Sequence, residues 1–326
     1  MVQVTEKLES LATSVKNVSN FKLFECGRDG ISARVGRLVS AVPAVDEAFD
    51  GEFQPGPISA HRPQTLIFSF FGGVILDSDL PPLPSMILLD LLGDLGVAEA
   101  AARATLKRMT QRGLLSRGQV GRSAEYSLTA LAEDVLREAR ERVNSPAPFE
   151  HADGDWTLLS YSVPESRRDL RHRVRARLTW AGFGGLRDGL WIAPGTVDVA
   201  AVLGRSDLVE AAGLADAFAA RPLPGTDLDR LVHRAWDVPA IRRTHLAFIT
   251  AWSRPPRVAG SLAQLTLLGA DWLSLLRADP GLPASHLGAD WPSATSTDIH
   301  RRLRAALEPA ARAAVERTLR ATGRWA

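Results

Sequence analysis

Apolar residues recur at three- and four-residue spacing in three successive segments of the first half of the chain, which indicates three amphipathic helices. The first predicted helix starts at Pro63, since a proline ring suits a first helical turn, and ends at Gly72–Gly73. The second is predicted to have Ser85 as its N-cap and to end before Gly96. The third is predicted to cover residues 98–112.

The pattern then changes to one that is typical of strands. Leu114–Leu115 begins a strand, Gly118 and Gly121 mark a turn, and "AEYSL" alternates as the returning strand. Thr129 is placed to cap a further charged helix. Three helices, a hairpin and a helix, in that order, predict a winged helix-turn-helix over residues 61–145, with the hairpin as the wing.

The second half of the chain mixes short apolar strands with helical periodicity. The proline-containing segment 144–155 predicts a linker, and a buried strand is expected over residues 156–163. An arginine-rich helix, the strand "GLWIAP" and smaller pieces follow, which predicts a small α/β domain over residues 153–226. Helical patterns dominate the remainder and predict a helical C-terminal domain over residues 227–326. The predicted fold class is α+β.

Composition limits the class of protein without naming a function. The 326 residues, 45% of them hydrophobic, are enough for two or three globular domains. Residues 1–60 are patchy and end in a proline-rich stretch, so we expect a poorly ordered extension there. The single cysteine, Cys26, excludes a disulfide framework and favours a reducing, cytoplasmic location. No apolar run reaches the ~18 residues of a membrane helix, and the N-terminus has no secretory signal pattern.

Charge is segregated in one stretch, although the formal net charge is only +2. Between residues 102 and 130, six basic residues precede the first acid, Glu125. On the predicted third helix, Ala102, Leu106 and Met109 share an inward face, which leaves the cations and an amide outward. Such a helix can enter a major groove, and arginines beside a hairpin turn suit phosphate or minor-groove contacts. The predicted DNA contacts are Arg103, Thr105, Lys107, Arg108, Gln111, Arg112, Arg117 and Arg122.

Two other interpretations of this stretch stay open. The charged face could be a solvated surface, or the winged module could bind proteins and make the chain a scaffold without specific DNA binding. Neighbouring segments carry many acids while this stretch has none before Glu125, and that segregation favours DNA. An enzyme is not predicted, because no catalytic constellation is present. The histidines do not pair at metal-binding spacing, so neither a metal nor a cofactor is expected: His61, His151, His172, His233, His245, His286 and His300.

The order of several weak motifs resembles the PaaX family of bacterial transcriptional repressors. "ARATLKRMTQRGLL", a Gly-Arg turn and "YSLT" are similar to its DNA-binding domain, while "RAWDV" and "LRADPGLPASHLGADWPSA" are similar to its C-terminal landmarks. The matching positions of the first domain are Arg103, Thr105, Arg108, Gly113, Gly121, Arg122, Tyr126, Leu128 and Thr129. The resemblance implies a repressor of aromatic-acid catabolic genes, typically those of phenylacetate, which an aryl-CoA thioester releases from double-stranded operator DNA. Winged modules of this kind commonly bind as homodimers.

The resemblance also implies a ferredoxin-like central domain similar to the CRISPR-associated adaptation endoribonucleases. Those nucleases need an acid at the end of the first strand, whereas here Glu165 comes only after Pro164, so nuclease activity is not predicted. The arginine-rich helix has two interpretations: a solvated helix with ion pairs at an interface, or part of an anion pocket for a CoA-like effector. The predicted effector contacts are Arg167, Arg171, Trp180 and Trp191.

Overall fold

The computed structural model describes residues 61–150, 154–204 and 208–325, and the predicted extension 1–60 lies outside them. The helices are α1 (Pro63–Phe70), α2 (Ser85–Asp94), α3 (Glu99–Gln111), α4 (Ala130–Asn144), α5 (Arg168–Trp180), α6 (Val199–Leu203), α7 (Val209–Ala212), α8 (Leu228–Ala235), α9 (Val238–Ser253), α10 (Gly260–Ala278) and α11 (Ser293–Ala321). The strands are β1 (Leu83–Pro84), β2 (Leu115–Val120), β3 (Ser123–Leu128), β4 (Trp156–Tyr161), β5 (Gly184–Arg187), β6 (Leu190–Pro194) and β7 (Ala215–Ala220). The predicted mixture of helices and sheets is confirmed.

The ends of the first two helices differ from the sequence prediction. Pro63 begins α1 as expected, but the Gly72–Gly73 pair does not end it, because the chain continues in a π-helical turn over Phe71–Ile75. Phe71 and Val74 of this turn are buried in the apolar core, so packing sustains the turn. The predicted cap at Ser85 was also wrong, since Ser85 is already helical and makes no capping hydrogen bond.

A three-stranded sheet in the order β1-β3-β2 follows α3. The hairpin turn consists of Gly121–Arg122, and Gly121 has φ 61°, a conformation that a glycine adopts without strain. Gly118, predicted as part of the turn, instead lies inside β2 opposite Glu125. The hairpin is therefore longer than the glycine pattern suggested, and Arg117 lies four residues before Gly121, the first residue of the turn.

The second sheet has the order β5-β6-β4-β7, with every neighbouring pair antiparallel. This is the strand order of a ferredoxin-like βαββαβ unit. The strand β5 was missed by the sequence analysis, although Asp188–Gly189 between β5 and β6 is a strong hairpin signal. A Cβ at Gly184 would come within 2.6 Å of the Trp236 ring, so close packing explains a glycine there.

The two faces of this sheet are covered by different elements. On one face Val174 and Leu178 of α5 pack with Leu159 and with α6 and α7. On the other face Trp156 and Ile192 pack with residues of α8 and α9. Part of the predicted helical C-terminal domain therefore completes the central unit.

One apolar core joins the first four helices to α9, α10 and α11. Side chains such as Phe70, Leu136, Trp272 and Leu319 belong to this same buried cluster. The segment predicted as a linker contributes too, because Phe149 is buried with its ring 4.9 Å from His245 and 5.4 Å from Trp272, centroid to centroid. That prediction was wrong for Phe149, since burying the aromatic ring stabilises the segment against the core.

Candidate nucleic-acid interface

The inner face of α3 fixes its position in the fold. Ala102, Leu106 and Met109 are buried, which confirms the predicted apolar face. After Gln111 the chain reverses through Gly113 at φ 68°, and the N–H of Leu114 donates to the carbonyl of Met109 at 2.9 Å. This is a glycine-based helix end that leads directly into β2, so α3 and the hairpin are rigidly connected.

The outer face of α3 is polar and open to solvent. Lys107, Arg108 and Gln111 are exposed. Thr105, a predicted DNA contact, is only 1% exposed, and its hydroxyl donates to the carbonyl of Ala101 at 2.8 Å while accepting Nη2 of Arg108 at 3.0 Å. The prediction of a direct contact for Thr105 is therefore corrected: its side chain positions Arg108 from inside the helix.

Not every predicted cation is equally available. Arg103 pairs with Glu99 one turn earlier at 2.6 Å, with both side chains more than 60% exposed. Such an exposed pair is worth about 0–1 kcal/mol, so phosphate could displace Glu99 at little cost. Arg112, at the end of α3, is partly buried.

Four cations of this stretch are exposed and make no ion pair with any residue that the structure describes: Lys107, Arg108, Arg117 and Arg122. Arg108 donates to the neutral hydroxyl of Thr105. Glu125, the first acid of the stretch, is buried and pairs instead with Arg324, just beyond α11. The C-terminal end of the fold thus neutralises this acid and leaves the hairpin cations free.

We call the exposed polar face of α3 together with the hairpin arginines the basic helix–hairpin surface, which comprises Arg103, Lys107, Arg108, Gln111, Arg117 and Arg122. It combines cations able to contact phosphates with an arginine and a glutamine able to read base edges. No helix in the described residues is long and apolar enough to cross a membrane. The same residues contain no group of three or more histidine, cysteine, aspartate or glutamate side chains that could hold a metal ion.

Family models match three consecutive parts of the chain. Residues 62–132 match the PaaX-like protein model, residues 150–232 the PaaX protein central Cas2-like domain, and residues 236–317 the PaaX-like protein C-terminal domain. The chain belongs to the PaaX family. The expected resemblance is confirmed over most of the length, and it makes the protein a relative of transcriptional regulators.

A solved structure shares the fold of this PaaX-family chain. It is the uncharacterized protein Rv0674 from Mycobacterium tuberculosis, which is 22% identical in sequence and superposes with a TM-score of 0.51 over 77% of this chain and 97% of its own. The likeness concerns the fold. No curated protein matches the chain.

The effector contacts predicted for this PaaX-family protein do not come together in one site. Arg167 is exposed and pairs with Glu210 at 2.5 Å, while Arg171 pairs with Glu165 at 3.1 Å. Trp180 and Trp191 are both buried but belong to different core clusters. Arg171 also donates to the carbonyl of Val163, in the cluster of Trp191, at 2.7 Å, and an effector role for the four residues stays a prediction.

Two other arginines, neither of them predicted as a functional residue, connect α4 to the central unit. Arg142 on α4 donates to the carbonyls of Trp180 at 2.7 Å and Asp279 at 2.9 Å. Burial lowers the pKa of Arg142 to about 10, against the opposite effect of Asp279. Arg177 on α5 is only 3% exposed and pairs with Glu138 on α4. A signal for Arg177 did exist in the sequence, because it falls on the apolar stripe of its helix between Val174 and Leu178.

Proposed function

We propose that this PaaX-family protein is a transcriptional regulator that binds duplex DNA through the basic helix–hairpin surface, with residues 61–145 acting as a winged helix-turn-helix. The single observation that supports this most strongly is the exposure of unpaired cations on α3 and on the hairpin. In this proposal α3 enters the major groove, where Arg108 and Gln111 contact base edges. Lys107, Arg117 and Arg122 contact phosphates or the adjacent minor groove.

Family membership supports the finer part of the proposal. The protein acts in the cytoplasm as a homodimeric repressor of aromatic-acid, phenylacetate-type catabolic genes, and an aryl-CoA thioester releases it from a two-fold operator. The central unit (153–226) and the helical C-terminal domain (227–326) form the dimer and carry the effector. Effector binding favours a dimer geometry in which the two α3 helices no longer fit both half-sites. The regulator itself carries out no chemical reaction.

The test is fluorescence anisotropy of the purified full chain with the DNA upstream of its own gene, compared with a shuffled duplex of equal length. Specific binding should weaken by about 0.9 log unit per log unit of salt for every phosphate neutralised. Equal affinity for both duplexes, or no binding at low salt, would contradict the proposal and favour a protein-interaction module. Titration with aryl-CoA thioesters tests the effector, since release by none of them removes that ligand class.

Two kinds of variant should separate base reading from phosphate contact. Arg108→Ala should cost about 1–3 kcal/mol on the upstream DNA and reduce the preference over shuffled DNA, because a base contact is lost. Lys107→Gln and Arg122→Gln should weaken binding to both duplexes similarly and each reduce the salt slope by about one unit. Both effects are measured by anisotropy at several salt concentrations.

Arg168→Gln is the matched control for charge. Arg168 is an arginine on α5, 82% exposed and not part of the basic helix–hairpin surface as defined above. Its removal changes the net charge as much as the other variants do, so it should leave DNA affinity almost unchanged. If Arg168→Gln weakens binding as much as Arg122→Gln, the affinity follows net charge and not this surface.

A further inference from the structure

Two arginines from different units bridge the junction of α4 and α5 in opposite directions. Arg142 reaches from α4 to the carbonyl at the end of α5, and Arg177 reaches from α5 to Glu138 on α4. The Nε of Arg177 also donates to the carbonyl of Val202 at 3.2 Å. The position of α4 against the central unit therefore depends on charge-assisted contacts.

A cleft of about 480 Å³ lies at this junction, and we call it the α4–α5 cleft. Its size suits a small molecule. One wall carries Arg142 and Arg177. The apolar part of the lining is made by Pro148, Trp180, Pro194, Val197, Val202 and Pro280, and Glu138 also lines the cleft.

Arg177, one of the residues that line this cleft, has a guanidinium nitrogen without a hydrogen-bond acceptor. Its Nη1 is buried and has no hydrogen-bond partner among the residues that the structure describes. A guanidinium group has five N–H donors and is always charged, so a buried arginine normally satisfies them. The planar fork of the group matches the two oxygens of a carboxylate.

The remaining charges of the cleft limit the charge of a ligand. Glu141 and Glu150 also line it, and both are exposed carboxylates. They repel a multiply charged anion more strongly than a singly charged one. A ligand with one negative charge and a flat apolar body would satisfy Arg177, lie against Trp180 and the prolines, and meet the least repulsion.

We propose that the α4–α5 cleft binds a small organic monocarboxylate whose oxygens accept from Arg177 and compete with Glu138. Competition loosens the Arg177–Glu138 pair, which is one of the contacts that hold α4 to α5. The start of α4 is fixed to the end of α3, because the hydroxyl of Thr129 donates to the carbonyl of Gly113 at 2.7 Å. A shift of α4 therefore moves the basic helix–hairpin surface. This regulatory part, the effect of the ligand on DNA binding, rests on the proposed function, whereas carboxylate binding by the cleft does not.

Carboxylate binding is tested without DNA, by isothermal titration of the full chain with benzoate at constant ionic strength. One benzoate per chain is expected, and Arg177→Gln should weaken its binding at least about tenfold, since a charge-assisted contact is lost. Glu138→Gln should tighten binding severalfold, because the competing carboxylate is gone. Arg168→Gln, an exposed arginine on the same helix, should bind like the unmodified protein.

The two variants are expected to change the affinity for benzoate in opposite directions. If Arg177→Gln does not fold, the benzoate affinity of Glu138→Gln alone decides whether the site exists. No binding of benzoate, or equal or weaker affinity in Glu138→Gln, overturns the site. Inorganic phosphate titrated in the same way should bind more weakly than benzoate, and tighter phosphate binding overturns the monocarboxylate assignment. Benzoate should also lower operator affinity. If the protein binds benzoate but binds DNA under no condition, only the proposed function is contradicted. If the DNA affinity is the same with and without bound benzoate, the regulatory part of the proposal is overturned.

Discussion

His300 on α11 is a histidine held in a neutral, buried position at the junction of the helices. Its ring stacks on Trp272 with the centroids 4.1 Å apart and an angle of 4° between the planes. Burial, and then the nearby charge of Arg304, lower its pKa from 6.5 to about 3. In the unfolded chain the same ring takes up a proton near neutral pH, so folding and protonation are linked at this residue.

This linkage predicts how stability changes with pH. The folded-state pKa lies below the unfolded value, so the contribution of His300 is complete above about pH 6.5 and is lost as the pH falls toward 3. Between pH 7 and pH 5 the loss should be about 2 kcal/mol from this group. His300→Phe keeps the stacking and should remove that part of the pH dependence, as measured by urea denaturation at pH 7, 6 and 5. His172→Gln, an exposed histidine on α5, is the control and should keep it. An unchanged pH dependence in His300→Phe would show that the buried ring is not its source.

Among single residues, the sequence pattern predicted exposure better than it predicted partners. Lys107, Arg117 and Arg122 are exposed as expected, because charged side chains lose hydration free energy on burial. Thr105 and Arg177 are buried, and their positions on the apolar stripes of α3 and α5 could have indicated it. Thr105 bonds within its own helix, whereas the partners of Arg177 come from other elements, which spacing along one helix does not reveal.

At the scale of elements, the N-cap residue of α4, Thr129, makes both the hydrogen bond expected of a cap and a tertiary hydrogen bond. The hydroxyl oxygen of Thr129 accepts from the N–H of Ala132 at 3.3 Å, as a threonine N-cap is expected to do. The same hydroxyl donates to the carbonyl of Gly113, which lies at the end of α3. One residue thus satisfies groups at the ends of two helices.

Thr129→Ala should therefore destabilise the protein by about 1–2 kcal/mol, because two backbone groups at the ends of α3 and α4 lose their partner. Urea denaturation at constant pH measures the change. Thr179→Ala is the matched control, since Thr179 is exposed and bonds only within its own helix, to the carbonyl of Arg175. It should change stability by less than about 0.5 kcal/mol. Equal losses in both variants would argue against a special role for the cap.

The elements that the sequence did not predict correctly have physical explanations. The π-helical turn after α1 contains two glycines that normally end helices, but its apolar side chains pack into the core and outweigh that preference. The strand β5 has glycines that usually lower strand propensity, and the close approach of Trp236 to Gly184 requires one of them. In both cases contacts with distant residues override local propensity.

At the scale of the whole molecule, the DNA-binding helices and the last helices share one core. Residues of α1, α4, α10 and α11 belong to the same buried cluster. In addition, Arg324 after α11 pairs with Glu125 on the hairpin. The unit that is proposed to bind DNA is therefore completed by the other end of the chain.

This shared core predicts that residues 61–146 alone do not fold stably. Removing α10 and α11 would expose the buried faces of α1 and α4, and each fully exposed large apolar side chain costs about 1.5–3 kcal/mol. The fragment should show little cooperative unfolding by circular dichroism and should be digested rapidly by trypsin. The full chain is the control, and the first four helices and α10 should unfold in the same transition. A fragment that unfolds cooperatively, as a stable unit does, would contradict the shared core.

The sequence by itself determined the order of helices and hairpin in the first half of the chain, the apolar faces of α3 and α5, the segregation of basic residues and the family. These properties depend on local periodicity and on side-chain hydration, which neighbouring residues specify. Only the tertiary structure decided that α1 to α4 share a core with α10 and α11, that Arg324 neutralises Glu125, and that Arg142 and Arg177 meet at the α4–α5 cleft. Those contacts join residues far apart in the chain, and their free energy depends on which surfaces are brought together when the chain folds.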